Sequence, residues 1–211
     1  MRRDERVSAT REALLTTAER LFAERGVHAV ANREISEAAG QGNNAAVNYH
    51  FGTKTDLIRA IVSKHTAQME EIRARLVYET GDSTDLNEWV ACMVLPFTKH
   101  LEALGMPTWF GRFTAQVMAD PALQAAMTEE SFGNSPSLTS LQNGLARCAP
   151  GLPAGLRRER SLMARHLIVQ MSVERERALA EHADRISWRD TANGLIDAIV
   201  GVWSAPATPP A

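Results

Sequence analysis

The chain has 211 residues, 45% of them hydrophobic, with 23 Lys and Arg against 25 Asp and Glu. That content supports a substantial folded core and excludes a disordered protein, while a formal charge of -2 excludes nucleic-acid binding driven by net charge alone. Two cysteines, Cys92 and Cys148, make neither a disulfide framework nor a zinc site and read as reduced thiols. No run approaches the roughly 18 apolar residues of a membrane helix, and residues 1–11 are too polar for a signal peptide, so a cytoplasmic protein without membrane contact is expected.

Taken in order, the elements are all helical. From residue 10, Leu14, Leu15, Ala18, Leu21 and Phe22 recur at helical spacing, with Arg11, Glu12, Glu19, Arg20 and Glu24 opposite. Gly26 supplies the stop. Asn32 is the expected cap of a short helix over 33–39, with Ile35, Ala38 and Ala39 inward, and Gly40 ends it. A turn at Gln41, Gly42 and Asn43 leads into a third short helix over 44–50, with Asn43 or Asn44 as cap and Val47 inward. Two short helices around a tight glycine-containing turn predict a helix-turn-helix. Thr53 offers a hydroxyl cap to a long connecting helix over 53–77, and the turn formers of 81–85 follow it. Further helices are expected over 86–103, 108–119, 121–132, 137–148, 156–183 and 188–203, then a disordered tail over 204–211 containing three prolines.

Three stretches stand out together: Asn32, Arg33, Glu34 and Ile35; Ala38, Ala39 and Gly40; and Asn48, Tyr49, His50, Phe51, Gly52, Thr53 and Lys54 with Leu57. Preceded by a helix ending in Arg25 and Gly26, they closely resemble the signature of the tetracycline-repressor-like family over roughly residues 10–60. The resemblance departs from the family in three places. The turn at 41–44 is one residue longer than the commonest form, Ala31 stands where many members have Thr, and Asn48 stands where many have an aromatic residue. The resemblance implies an all-α protein with an N-terminal three-helix helix-turn-helix DNA-binding domain over 1–52. A larger helical domain over 53–203 would sense a ligand and dimerise. It also implies a homodimeric repressor that binds an inverted-repeat double-stranded DNA operator and is released by an unidentified small apolar effector.

The chemistry of the residues agrees with that role. A recognition helix entering a major groove about 12 Å wide needs small or short polar groups in its first turn. Asn43, Asn44, Ala45 and Asn48 meet that need, since Asn can pair adenine and an Ala methyl can meet the thymine methyl. Arg33, Thr53 and Lys54 are the expected phosphate ligands, Lys54 first among them, with Tyr49 as a phenol donor. Each has an alternative: Asn43 a helix cap, Tyr49 a packed ring, Arg33 a solvated helix charge. Residues 1–54 carry eight Lys and Arg against seven Asp and Glu, and the remainder 15 against 18, so the charge asymmetry is weak. A mobile arm bearing Arg2, Arg3 and Arg6 is expected to add salt-sensitive affinity.

Because one recognition helix reads only a few base pairs, a dimer is implied. Trp188, Leu195, Ile199, Val202 and Trp203 on the last helix, with Leu162 and Leu167 on the one before, are the expected interface, either as a four-helix contact or as ordinary core. Trp89, Met93, Trp109, Phe113 and Met118, with His166 and Gln170, are the expected effector-pocket residues; the same stripe also fits plain core. No catalytic motif, metal-ligand spacing or cofactor signature is found, so neither an enzyme nor a cofactor is expected. The alternative function is a helical small-molecule or partner-binding module without specific DNA recognition.

Overall fold

A computed structural model describes residues 3–133, 135–181 and 187–207 of the chain. Among them there are ten α-helices and no strand. They are α1 (Arg3–Arg25), α2 (Asn32–Ala38), α3 (Ala46–Phe51), α4 (Lys54–Thr80) and α5 (Leu86–Leu104), followed by α6 (Phe110–Met118), α7 (Pro121–Gly133), α8 (Ser137–Cys148), α9 (Ala154–Ala180) and α10 (Trp188–Ser204). The all-helical expectation holds, element for element. The largest difference is at the N-terminus: Arg6 sits on α1, whose first turns are polar and carry no periodic apolar signal. Arg2, the expected helix end at Ala183 and the tail beyond residue 207 lie outside the described residues.

The helices pack into two units, Met1–Thr66 with Trp109–Gly133, and Ala67–Thr108 with Asn134–Ala211. The division differs from the expected one at residue 52. It differs because the apolar face of α6 packs on α1, drawing a later segment into the N-terminal core. In the first unit Leu14, Ala18, Phe22, Val30, Ile35, Val47, Leu57 and Ile61 join Phe113 and Val117 at or near zero exposure. Phe113 stacks against Phe22 with ring centroids 6.3 Å apart and against Phe110 at 6.2 Å. A buried polar pair is set into this core: the His65 Nε2 and Glu19 Oε2 atoms are 2.8 Å apart, and the His65 ring lies 3.9 Å from that of Phe110.

In the second unit α10 lies against α5 and α9, and α8 against α5. Trp89 on α5 is buried and donates through Nε1 to the Ser83 carbonyl at 2.8 Å. Gly144 on α8 admits that indole, since a Cβ there would stand 2.3 Å from the ring. Arg160 on α9 donates to the Trp203 and Ala205 carbonyls, satisfying acceptors that the end of α10 leaves open.

Candidate nucleic-acid interface

The segment from α2 to the start of α4 is held by short polar bonds whose donors and acceptors can be named from the sequence. Ala31, not Asn32, precedes the first turn of α2. Having no side-chain acceptor, Ala31 relies on Glu34, which reaches back to accept its N–H at 2.7 Å and also takes an N–H from Arg25 at 2.8 Å. The Ala31 N–H first, and Arg25 second, hold the Glu34 carboxyl below the usual carboxylate range. Gly40 closes α2 at φ +70°, the left-handed conformation glycine adopts most easily.

Two bonds tie α2 to α3. The buried Ser36 Oγ donates to the Asn32 carbonyl at 3.2 Å and accepts the Val47 N–H at 3.4 Å. Asn32 Nδ2 donates to Asn48 Oδ1 at 2.8 Å. Sequence reading missed Ser36; a hydroxyl among apolar helix positions was its only signal. Arg11, read only as a polar-face residue of the first helix, has a second role. From α1 it donates to the His50 carbonyl at 2.9 Å, and its guanidinium lies 4.2 Å from the Phe51 ring centre, so it both caps α3 and packs on it.

Asn43 is not the cap of α3, whose N-cap is Ala45 with no side-chain bond; its Oδ1 accepts the Ala45 N–H at 2.9 Å and closes the turn before the helix. Asn44 and Ala45 are exposed in the turn before α3, while Ala46 and Val47 face the core. Tyr49 is 77% exposed, which rules out the packed-ring alternative. Arg33 is exposed and bonds Glu37 through Nε at 2.7 Å; that bond raises its pKa further.

Two expected phosphate ligands are committed elsewhere. Thr53 donates through Oγ1 to Asp56 Oδ2 at 2.6 Å and accepts the Asp56 N–H at 3.1 Å, which makes it the cap of α4. The Thr53 hydroxyl first, then its N–H, pull the Asp56 carboxyl below its ordinary value. Lys54 is half-buried, and its ammonium donates to the Val30 carbonyl at 2.6 Å and the Val27 carbonyl at 3.1 Å. The ammonium closes the loop after α1 instead of standing free for phosphate. What remains outward is Asn44, Ala45, Asn48, Tyr49 and Arg33. Residues 41–53 contain no acidic side chain, so nothing in this stretch repels a phosphate backbone.

The other expected sites are redistributed. Trp109, Phe113 and Met118 fall in the first unit, with Phe113 fully buried against Phe22. Trp89, Met93, His166 and Gln170 fall in the second, Trp89 buried and the two α9 residues exposed. The second unit has a pocket of about 360 Å³ between α5 and α10, lined by Leu95, Thr98, Lys99, Glu102, Trp188, Arg189, Ala192 and Asn193, and none of the seven expected residues lines it. Of the expected dimer contacts, Trp188, Leu195, Ile199 and Trp203 are the chain's own core, from 0% to 8% exposed. They belong there because α10 turns its apolar stripe to α5 and α9. Leu162 is exposed, and Leu167 and Val202 are half-buried. The outward row also includes Met163 and Met171, about half exposed, and Gly194 and Gly201, which face open space. Among the described residues no group of three or more His, Cys, Asp or Glu could hold a metal, and no helix is long and apolar enough to cross a membrane.

Residues 14–61 match the model of the bacterial regulatory proteins of the tetR family. A curated relative, the HTH-type transcriptional repressor BepR of Brucella suis biovar 1 (strain 1330), is 40% identical over 73 residues, 34% of this chain and 34% of that protein. The match thus spans about a third of the relative's length. Two solved structures share the fold over nearly the whole chain. One, described as a tetR family transcription regulator from Shewanella sp. PV-4, is 15% identical with a TM-score of 0.62, covering 92% of this chain and 95% of that one. The other, described as a TetR-family transcriptional regulator from Rhodococcus sp., is 18% identical with a TM-score of 0.55, covering 93% and 100%.

Proposed function

We propose that this chain, whose residues 14–61 carry the tetR-family domain, is a transcriptional repressor that binds an inverted-repeat duplex operator as a homodimer. The observation that carries the reading is the outward face of the α2–turn–α3 segment. It is polar, it carries no acid from residue 41 to residue 53, and the two acids of α2 are paired with Arg25 and Arg33. It lies inside the family match, and its backbone is fixed by bonds at both helix ends. Such a face supplies the short donors that base edges accept and the hydroxyl and guanidinium groups that hold phosphates.

One six-residue recognition helix contacts too few base pairs for useful specificity, so two copies are required. The outward surfaces of α9 and α10 support that pairing. Leu162, Met163 and Met171 offer apolar area, and Gly194 and Gly201 allow another backbone to come close. The proposed effector is a small molecule bound in the second unit. Its proposed place is the open cleft between α5 and α10, where Leu95 and Trp188 stand beside Lys99, Glu102 and Arg189. Helix α4, Lys54–Thr80, is the element through which the effector is proposed to act. Release of the operator then requires that the effector bind the two arrangements of α4 with different affinity. A cytoplasmic location and the absence of catalysis follow from this role.

The test is selection of bound duplexes from a random-sequence pool at two salt concentrations. Enrichment of an inverted repeat, with affinity falling as salt rises, is the expected result. Folded protein that enriches no sequence would overturn the reading in favour of a helical binding module.

A further inference from the structure

We infer that Asn44 is the adenine-reading residue of the recognition segment, because its amide alone among the asparagines there is not already oriented by a bond to the chain, as those of Asn43 and Asn48 are; the inference rests on the DNA-binding reading above. Adenine presents a donor, N6, beside an acceptor, N7, in the major groove, so a bidentate partner must bring both the oxygen and the nitrogen of one amide. Each amide near the turn can be checked for both ends.

Asn43 Oδ1 accepts the Ala45 N–H at 2.9 Å, which turns its amide back onto the chain's own backbone in the turn before α3. Asn48 Oδ1 accepts from Asn32 Nδ2 at 2.8 Å, which turns its amide toward α2 in the bridge that ties the two helices. Gln41 has committed its nitrogen to the Ala39 carbonyl at 3.0 Å. Asn44 is exposed, and neither end of its amide bonds to any described residue.

The backbone around Asn44 is also fixed. Ala46 N–H donates to the Asn43 carbonyl at 3.0 Å, and Tyr49 N–H to the Ala45 carbonyl at 2.9 Å, so the side chain projects from a closed turn. A reading group on a preorganised backbone loses little freedom on binding. Asn48, its oxygen held toward Asn32, can still turn Nδ2 to a phosphate oxygen or a lone base acceptor, but presenting both ends of its amide edge-on to adenine would break the bridge to α2.

The experiment measures relative Kd, at one salt concentration, for the selected duplex and for each of its single base-pair replacements, using the full chain and the variants Asn44→Ala and Asn48→Ala. The wild type is expected to prefer A·T at one position of each half-site by roughly 5- to 150-fold. Asn44→Ala should bring that preference close to one, keep the preferences elsewhere, and melt with the wild type because the side chain holds nothing. Asn48→Ala should leave the adenine preference in place while weakening all duplexes by a similar factor. The assignment is overturned if Asn44→Ala keeps every base preference, if the position it relaxes is G·C, or if Asn48→Ala relaxes the adenine position instead. A wild type with no base preference at all would overturn the DNA-binding reading itself, and the assignment with it.

Discussion

The turn-rich stretch from Gly26 to Asp56 and the α5, α8 and α10 core are held by different forces. In the first, Val30, Ile35 and Val47 are buried, but each turn and helix end is set by a polar bond: Glu34 to Ala31, Ser36 to Val47, Asn43 to Ala45, Thr53 to Asp56, Lys54 to two carbonyls. In the second, a single glycine makes room for a tryptophan and an apolar stripe on α10 fills the space against α5 and α9. Polar bonds of the first kind are directional and fix orientation while leaving the outer face free for a partner. Packing of the second kind holds the unit together but says little about what it recognises. A segment that must present side chains to a groove needs the first kind.

The sharpest way to test that contrast is to damage the packed region first. Trp89→Ala removes a large buried indole and is expected to cost about 3–5 kcal/mol in urea denaturation. Gly144→Ala attacks the same contact from the other side, since its methyl would overlap the indole, and about 1–3 kcal/mol is expected from overpacking. Losses below about 0.5 kcal/mol in both would mean that the contact does not hold the second unit.

Lys54→Ala comes next, with an expected loss of about 2–3 kcal/mol from two charge-assisted bonds in a half-buried place. The same variant decides between the role that the geometry assigns and the one expected from sequence. A structural lysine leaves the salt dependence of duplex binding unchanged. A phosphate ligand would leave stability intact and reduce the slope of log affinity against log salt by about one.

How much of this was legible beforehand depends on how far apart the partners lie. Helix existence was readable throughout, because apolar residues at 3.6 spacing need no knowledge of the partner. The Thr53 cap was readable too, since its acidic partner stands three residues on. Lys54 was not: the carbonyls it meets belong to residues 24 and 27 positions earlier, and nothing local distinguishes an ammonium that folds back from one that reaches out. The stripe of Trp188, Leu195, Ile199 and Trp203 was found, but periodicity cannot say whether a second copy or the chain itself covers it. Ala31 misled in another way, because a residue with no acceptor hides a helix start that Glu34 stabilises from inside. The amide accounting that separates Asn44 from Asn48 required the Asn32 bridge, a contact that residue type alone does not announce.

The smallest effects belong to the caps, and pH separates them from packing. Thr53→Ala should cost about 1 kcal/mol as an ordinary N-cap loss. Its partner Asp56, and Glu34 at the start of α2, both have folded pKa values depressed below those of the unfolded chain, Asp56 by the Thr53 hydroxyl first and Glu34 by the Ala31 N–H first. A depressed carboxylate contributes its full stabilisation above the unfolded pKa and loses it as pH falls through the folded one. The melting temperature of the wild type should therefore fall as pH drops below about 5, and part of that fall should come from these two groups. In an Asp56→Asn, Glu34→Gln variant the starting stability is lower and the decline shallower, so its gap from the wild type narrows as the solution is acidified. The gap left by Trp89→Ala carries no such proton linkage and should change little over the same range. If the carboxylate gap stayed constant with pH, the caps would owe their strength to geometry alone, and the distinction between a charge-tuned first region and an apolar second one would fail.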